Sequence, residues 1–543
     1  MVACQRFPVL AQPARCALVP ELQYLQLPGL WGIDMSAYDA PRIASRARVI
    51  ARSLLDRLFE DRCDADGIDH RLTPTNHPWI NGQVDRLNRT RPMRDRRLKG
   101  KETVIERWYV CFMEGARKCL GCEHRRARRV RAIGPTWTKV PLRHFITEGN
   151  RLVKRKRIIV MGYMGRFPIA GVIWQYLHYI VGLQRLGHEV YYIEDTTIYP
   201  YNPVSFDTSG DCSYAVDVIK SLADSFGFRG RWAYSARFLD PPQSFGLDLA
   251  TLRQLYREAD AILNVCGAQE TNEDILRSER LVYVESDPGL EQIKVDQGDS
   301  ETCEKLSHYK ALFTFGESVP DSSSFPVPLN GFSWLPTRQP VVIDFWKTDM
   351  PPGPSATFTT VANWSTRGLK DIHWKDRTFV WSKAENFLDF IEVPKAVGPF
   401  FEIATDIKDK PTSALIRSKG WRLRDPYALS TDRERYRRYI RDSRGEFTVA
   451  KDQYVSLQTG WFSDRSACYL AAGRPVITQE TGFTRFYGGD KGLFSFSNIE
   501  EIKDAESAVR ADYAEHSRCA YEIACEYFSA EKVLSSLLDR AGI

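Results

Sequence analysis

No uninterrupted apolar run in the 543 residues approaches the ~20 that a membrane-spanning helix needs. The first twenty residues are apolar only in patches, broken by Gln5, Arg6, Gln12 and Arg15, which makes a poor secretion signal. A cytoplasmic location is the expectation. The twelve cysteines are scattered from Cys4 to Cys525 without regular spacing, so a disulfide scaffold is excluded and reduced thiols are expected. One Cys-x-x-Cys occurs, Cys119 and Cys122 with Cys111 and His124 nearby. It lacks a second matched pair and lies among charges, so it reads as chance spacing and no metal is expected. No short internal repeat is found.

Net positive charge is also missing from most of the chain. The formal charge is +6, yet the segment from Arg91 to Arg131 alone nets +9 with fourteen Lys or Arg against five acids, leaving −3 elsewhere. Basicity therefore says nothing about the protein as a whole. At most, the run Arg125 to Arg131 provides weak non-specific nucleic-acid binding within a basic linker.

Alternation of strand and helix patterns starts abruptly at Lys156. Arg157 to Gly162 is a buried-strand run entering a glycine loop, Gly162 to Gly171. Ile169 to Leu186 reads as a helix stopped by Gly187, and His188 to Ile193 is the next strand. This βαβ opening is followed by strand candidates at Ala261–Val265, Leu281–Glu285 and Ala311–Phe315, which predicts a parallel, doubly wound sheet. Gly162 and Gly165 lack the third glycine of a dinucleotide fingerprint. His188 starts a strand, away from any ligand crevice, and His178 falls mid-helix; both read as packing residues.

The passage Phe325–Pro340 and the loop Asp349–Pro354 predict a connection, after which a second α/β unit begins with a strand at Ala356–Val361. That strand opens onto a basic loop, Asn363 to Lys370, that includes Arg367. Farther on, the strand Glu446–Ala450 leads through Thr459-Gly460-Trp461-Phe462-Ser463 to a helix, Asp464 to Ala472, closed by Gly473 and followed by Arg474-Pro475-Val476-Ile477. Ser463 is placed to cap that helix and Gly473 to end it. Its free N–H groups and dipole would favour a phosphate, with Arg465 adding charge in the first turn. The terminal stretch Ile499–Leu538 reads as largely helical.

The run from Arg444 to Phe483 resembles the donor-binding half of GT-B glycosyltransferases, and the region from Lys156 to Ile543 is similar to family-1-like bacterial glycosyltransferases. The resemblance implies two Rossmann-like α/β domains facing a cleft, preceded by an irregular basic N-terminal region. The expected organisation is a remnant and linker over 1–150, an acceptor domain over 156–340, a donor domain over 357–500, and helices over 501–543 packing back on the acceptor domain. It further implies a metal-independent glycosyltransferase, with a nucleotide-sugar donor as substrate, no other cofactor and an unknown acceptor.

Donor-binding residues would be Asn363, Arg367, Lys451, Gly460, Trp461, Ser463, Asp464, Arg465 and Glu480, with Gly162, Gly165 and Arg166 on the acceptor side. Among the strand-end acids Asp195, Asp287 and Glu317, the expected base is Asp287, left exposed where Pro288 begins a helix. One departure stands out: the pair of glutamates that holds the donor ribose in many such enzymes would fall at Gly460 and Cys468. Asp464 or Glu480 is the expected replacement. The same fold without turnover would be a sugar or nucleotide-sugar binding protein.

A second resemblance covers Phe59 to Thr90. The run His77-Pro78-Trp79-Ile80-Asn81-Gly82-Gln83-Val84-Asp85-Arg86 is similar to the end of the catalytic core of insertion-sequence transposases and retroviral-type integrases. There Asp85 would be the last carboxylate of a DDE triad. The preceding residues leave no room for the fold that carries the other two, and a lone carboxylate cannot hold two metals. The segment reads as a remnant fused ahead of another gene, with DNA binding as the alternative function and integrase activity not expected.

Overall fold

The computed structural model describes residues 154–365 and 371–543. The transposase-like segment with Asp85, the Cys119–Cys122 spacing, the basic stretch and Arg367 lie outside the described residues.

Continuous apolar strands are stable only when both faces are covered, which favours a parallel sheet with helices on either side. That is what Lys156 onward builds. The first sheet uses β1 (Arg157–Met161), β2 (Glu189–Thr196), β5 (Trp232–Ala236), β6 (Gln243–Gly246), β7 (Ala261–Val265), β8 (Leu281–Glu285), β9 (Ala311–Thr314) and β10 (Trp334–Pro336). Their order is β10-β9-β8-β7-β1-β2-β5-β6, parallel throughout except for the edge strand β6. β10 lies inside the proline-containing passage read from sequence as a connection; Trp334 is buried there and pairs in parallel with Leu312. A small hairpin, β3 (Tyr201–Asn202) with β4 (Asp207–Thr208), stands on the loop after β2.

The second sheet is smaller and all parallel. It uses β11 (Phe358–Val361), β14 (Phe401–Ala404), β15 (Arg422–Arg424), β16 (Gly445–Thr448), β17 (Val476–Gln479) and β18 (Leu493–Phe496), in the order β15-β14-β11-β16-β17-β18. A separate hairpin joins β12 (Ile372–Trp374) to β13 (Arg377–Phe379). The architecture is thus two Rossmann-like α/β domains facing a cleft.

The loops at the carboxyl ends of the two sheets meet. Gly316 forms an antiparallel bridge with Trp461, the Ser318 N–H donates to the Thr459 carbonyl at 3.0 Å, and Trp461 Nε1 donates to the Ser286 carbonyl at 2.9 Å. Ligands of doubly wound sheets bind at this edge, so the meeting line marks the place to search. The chain then crosses back. The helix Ile499–Ala511 packs beside β18, while Ala530–Arg540 packs on the helix Ala170–Arg185. Two bonds stitch the return: the Val341 N–H donates to the Phe528 carbonyl at 2.7 Å, and the Ala530 N–H donates to the Val341 carbonyl at 2.9 Å. No helix among the described residues is long and apolar enough to cross a membrane. The six cysteines there are all unbridged.

Candidate active site

The floor of the cleft on the first sheet is the loop after β1. A Cβ on Gly162 would come within 2.6 Å of the Tyr176 ring and 2.8 Å of Tyr192, so this glycine answers to close packing. The loop's backbone is gripped from below by Glu194, fully buried on β2. Its carboxylate accepts from the Gly165 N–H at 2.5 Å, the Arg166 N–H at 2.9 Å and the Tyr192 hydroxyl at 2.6 Å. Burial outweighs these bonds and pushes the Glu194 carboxyl up to about 7. Arg166 lies over the Tyr163 ring at 5.2 Å and reaches the Ala268 carbonyl at 3.4 Å.

Asp287 follows β8. The helix after it starts at Leu290 with Gly289 as its N-cap, so the expected placement of Asp287 as the cap of a helix begun by Pro288 does not hold. The extra turn made by Pro288 and Gly289 moves the helix start past it. Instead its carboxylate accepts from Lys451 Nζ at 2.7 Å and from the Tyr454 hydroxyl, both from the second domain. Lys451 also stands 3.7 Å from the Trp381 ring centroid. Of the other strand-end acids, Asp195 is buried against Arg237 at 3.1 Å. Glu317 is bound by both arms of Arg338 at 2.8 and 2.9 Å and receives the Tyr487 hydroxyl. Both are held by structural partners.

The helix expected to take a phosphate is Asp464–Ala471. Ser463 is its N-cap by backbone position, but its side chain makes no capping hydrogen bond. Arg465 turns inward, with only 13% of its side chain exposed. Its Nε donates to Glu446 at 2.6 Å, Nη1 to the Val361 carbonyl at 2.7 Å and Nη2 to Thr448 Oγ1 at 3.0 Å. Every arm of the guanidinium is thus committed to the second sheet. Asp464 occupies the first turn, and burial together with the Asp287 charge raises its carboxyl to about 7.

Trp461 stacks on Tyr454 at 4.3 Å and 27°, which covers one of its faces. Gly460 has φ 75°, and a Cβ there would lie 2.8 Å from the Ser318 nitrogen, so no side chain fits at the first ribose-glutamate place. Cys468, at the second, is buried with its sulfur 3.8 Å from His178 Nε2. His178 itself is buried, accepts the Val342 N–H at 3.1 Å and is driven down to about 3 by burial. Glu480, at the end of β17, receives the Gly482 N–H, and Asn363 is exposed after β11.

The residue that sequence reasoning missed is Lys383. It is 8% exposed, at the start of the helix Ala384–Asp389; its side chain makes no ion pair or hydrogen bond among the described residues, and its amine lies 5.8 Å from the Trp461 ring centroid. Burial first, and then the Arg465 charge, holds its amine well below the ordinary lysine range. Asn386 of the same helix donates to the Ala450 carbonyl at 2.9 Å and to Gln479 at 3.1 Å, which fixes Lys383 over the carboxyl ends of β16 and β17. A signal was present: Ser382 and Glu385 have the spacing of a helix start, and Ser382 Oγ accepts the Ala384 N–H at 3.0 Å. Among the described residues no group of three or more His, Cys, Asp or Glu is placed to hold a metal ion.

No family model matches the sequence, and no curated protein matches it. Several solved structures are similar in chain arrangement. One is an alpha-glucosyltransferase in complex with UDP and a 13-mer DNA, at 15% identity and TM-score 0.43, covering 72% of this chain and all of that one. Another is HepE from Anabaena in complex with UDP and glucose, at 12% identity and TM-score 0.42, with the same coverage. A third is sucrose-phosphate synthase from Thermosynechococcus elongatus, at 11% identity and TM-score 0.38, covering 71% and 98% of the two chains. Likenesses at TM-scores below 0.5 do not bear on function, and the site stands on its own residues.

Proposed function

We propose that the region from Lys156 onward is a glycosyltransferase that moves a sugar from a nucleoside-diphosphate donor to a hydroxyl acceptor. The observation that carries this reading is Lys383: a buried amine without an anionic partner among the described residues, over the carboxyl ends of the second sheet, where an arriving diphosphate would draw it into its charged form and be held by that charge. Lys451 is the second cation of that wall. Arg465, spent on Glu446, anchors the sheet, and the helix start at Asp464 already carries acid, so the diphosphate belongs with the lysines. Asn363 and Glu480 border the same edge and complete the donor side, with Gly460 and Trp461 forming the seam behind it.

Asp287 and Asp464 divide the acid work. Asp287 is paired with Lys451 and Tyr454; burial, and then the Asp287 charge, raise the proton affinity of Asp464 towards neutrality. Asp464 then takes the acceptor's hydroxyl proton as the acceptor oxygen bonds to the anomeric carbon and the anomeric bond to phosphate breaks. The diphosphate leaves with the electron pair, beside Lys383. The loop Gly162–Arg166, held by Glu194, positions the acceptor.

The test is calorimetric titration of the full chain with UDP, GDP, ADP and TDP, followed by release of nucleoside diphosphate from the matching sugar donors, with and without EDTA. Binding that Lys383→Ala weakens, with turnover that falls on the acid side of about pH 7 and whose limb moves lower in Asp287→Asn, upholds the assignment. Nucleotide binding without turnover under any condition returns the binding-protein reading.

A further inference from the structure

Six of the ten large apolar side chains that are well exposed among the described residues gather at one place: Phe167, Ile198, Tyr199, Val204, Phe206 and Tyr427. They come from both sides of the cleft. Phe167 lies in the acceptor-side loop after β1, and the next four lie on the segment after β2 that carries the β3–β4 hairpin. Tyr427 starts a short helix after β15 in the second domain. The hairpin is tied to the acceptor loop, since the Tyr201 N–H donates to the Arg166 carbonyl at 2.8 Å and Phe167 packs on Tyr201 at 5.4 Å. Its tip reaches across: Phe206, held at φ 56°, meets Tyr427 edge-to-face at 4.9 Å. Tyr199, on the same segment, is supported edge-to-face by Phe238 at 5.0 Å.

An exposed apolar patch of this size marks a binding surface. Its charges decide the occupant. The segment Thr197–Cys212 carries Asp207 and Asp211 and no Lys or Arg. On the other side the Tyr427 hydroxyl donates to Asp406 at 3.4 Å, and Asp425 accepts the Tyr427 N–H at 2.9 Å. Of the basic side chains on or beside the elements of the rim, Arg166 is engaged with Tyr163 and Ala268, Arg237 with Asp195, Arg424 with Glu402 at 2.5 Å and Arg435 with the Ala428 carbonyl at 3.2 Å. Phosphate chains and anionic lipid surfaces would be repelled, and entering a bilayer would strip water from Asp207 and Asp211. A neutral polyhydroxyl chain meets neither obstacle: its C–H faces cover the rings while its hydroxyls donate to the carboxylates.

We propose that this aromatic rim holds the outer residues of an uncharged oligosaccharide acceptor whose end enters the cleft. The inference rests on the glycosyltransferase reading and names the class of its acceptor.

The test uses the full chain and the variants Phe206→Ala and Tyr199→Ala, probed by calorimetry with malto-, cello-, xylo- and chito-hexaoses, the matching monosaccharides, and UDP. Vesicles of phosphatidylcholine with phosphatidylglycerol provide the membrane arm. The expected result is binding of at least one hexasaccharide far better than its monosaccharide, weakened about tenfold by each substitution, with nucleotide affinity and melting temperature unchanged. Failure of every hexasaccharide, equal binding by the variants, or rim-dependent binding of vesicles overturns the proposal. Rim-dependent hexasaccharide binding without any nucleotide binding would keep the saccharide surface and remove the transferase reading beneath it.

Discussion

Each of the two sheets hides a glutamate with no exposed surface in a strand, Glu194 on β2 and Glu446 on β16, and the two are answered differently. Glu194 is met by backbone N–H groups and a tyrosine and forms no ion pair among the described residues; burial outweighs these bonds and its proton affinity climbs to about 7. Glu446 is met by Arg465. In the first domain the acid shapes a loop; in the second it consumes a cation. The difference explains why the arginine nearest the expected phosphate site is unavailable to a phosphate, and why the proposed diphosphate site falls to Lys383, whose amine has no anionic partner among the described residues.

The largest effect should come from separating the second pair. Glu446→Gln leaves the Arg465 charge buried against a carbonyl and a hydroxyl, and loss of one partner of a buried pair costs about 3–5 kcal/mol. Urea unfolding measures it; a loss under about 1 kcal/mol would mean that the pair is not the anchor described. Arg465→Ala is expected to lower stability in the same way while leaving nucleotide affinity of the folded fraction intact. Next is Lys383→Ala, which removes charge-assisted bonds worth roughly 1.5–3 kcal/mol and so weakens nucleoside-diphosphate binding by about 10–100-fold. Its melting temperature should hold or rise, since a buried amine that makes no ion pair or hydrogen bond among the described residues is removed.

Glu194→Gln tests the first domain and should cost about 1–2 kcal/mol, because an amide N–H replaces one of the two acceptors facing the loop. Its pH dependence has a definite sign. A carboxyl whose proton affinity is higher folded than unfolded gives stability that is complete below its ordinary range and is lost as pH rises through about 7. The variant's deficit, measured by urea unfolding, should therefore be larger at pH 5 than at pH 8, and the opposite trend would contradict a raised Glu194. Smallest is Ser463→Ala. A working cap is worth about 1 kcal/mol, but Ser463 makes no capping bond, so a change under about 0.5 kcal/mol in thermal unfolding is expected.

Much of the fold was legible where local pattern and burial agree. The runs Ala261–Val265 and Leu281–Glu285 became β7 and β8, because uninterrupted apolar strands leave few alternatives. β14 and β15 were not read. Phe401-Glu402-Ile403-Ala404 mixes a charge into a short strand, and Glu402 is tolerated there because Arg424 of the neighbouring strand bonds it at 2.5 Å. The hairpins failed for a similar reason, being too short to show a period. At the site, Asp287 was visible as a strand-end acid, but its Lys451 partner lies 164 residues away. Arg465 was visible as a first-turn cation, yet which way it points depends on the register of β16 beside β11. Sequence locates charge along the chain; only packing tells whether that charge is already neutralised.

The return of the chain onto its first domain carries a consequence for synthesis. Gly182, in the helix Ala170–Arg185, lies so close to the helix Ala530–Arg540 that a Cβ there would approach Leu534 within 2.6 Å and Ala530 within 2.8 Å. One face of the earlier helix is therefore finished by residues translated some 350 positions later, after the whole second domain. A nascent first domain emerges with that face bare, and vectorial folding cannot complete it. The two domains mature together, and a truncation ahead of Ala530 would leave an apolar stripe for chaperones to guard rather than a smaller working unit.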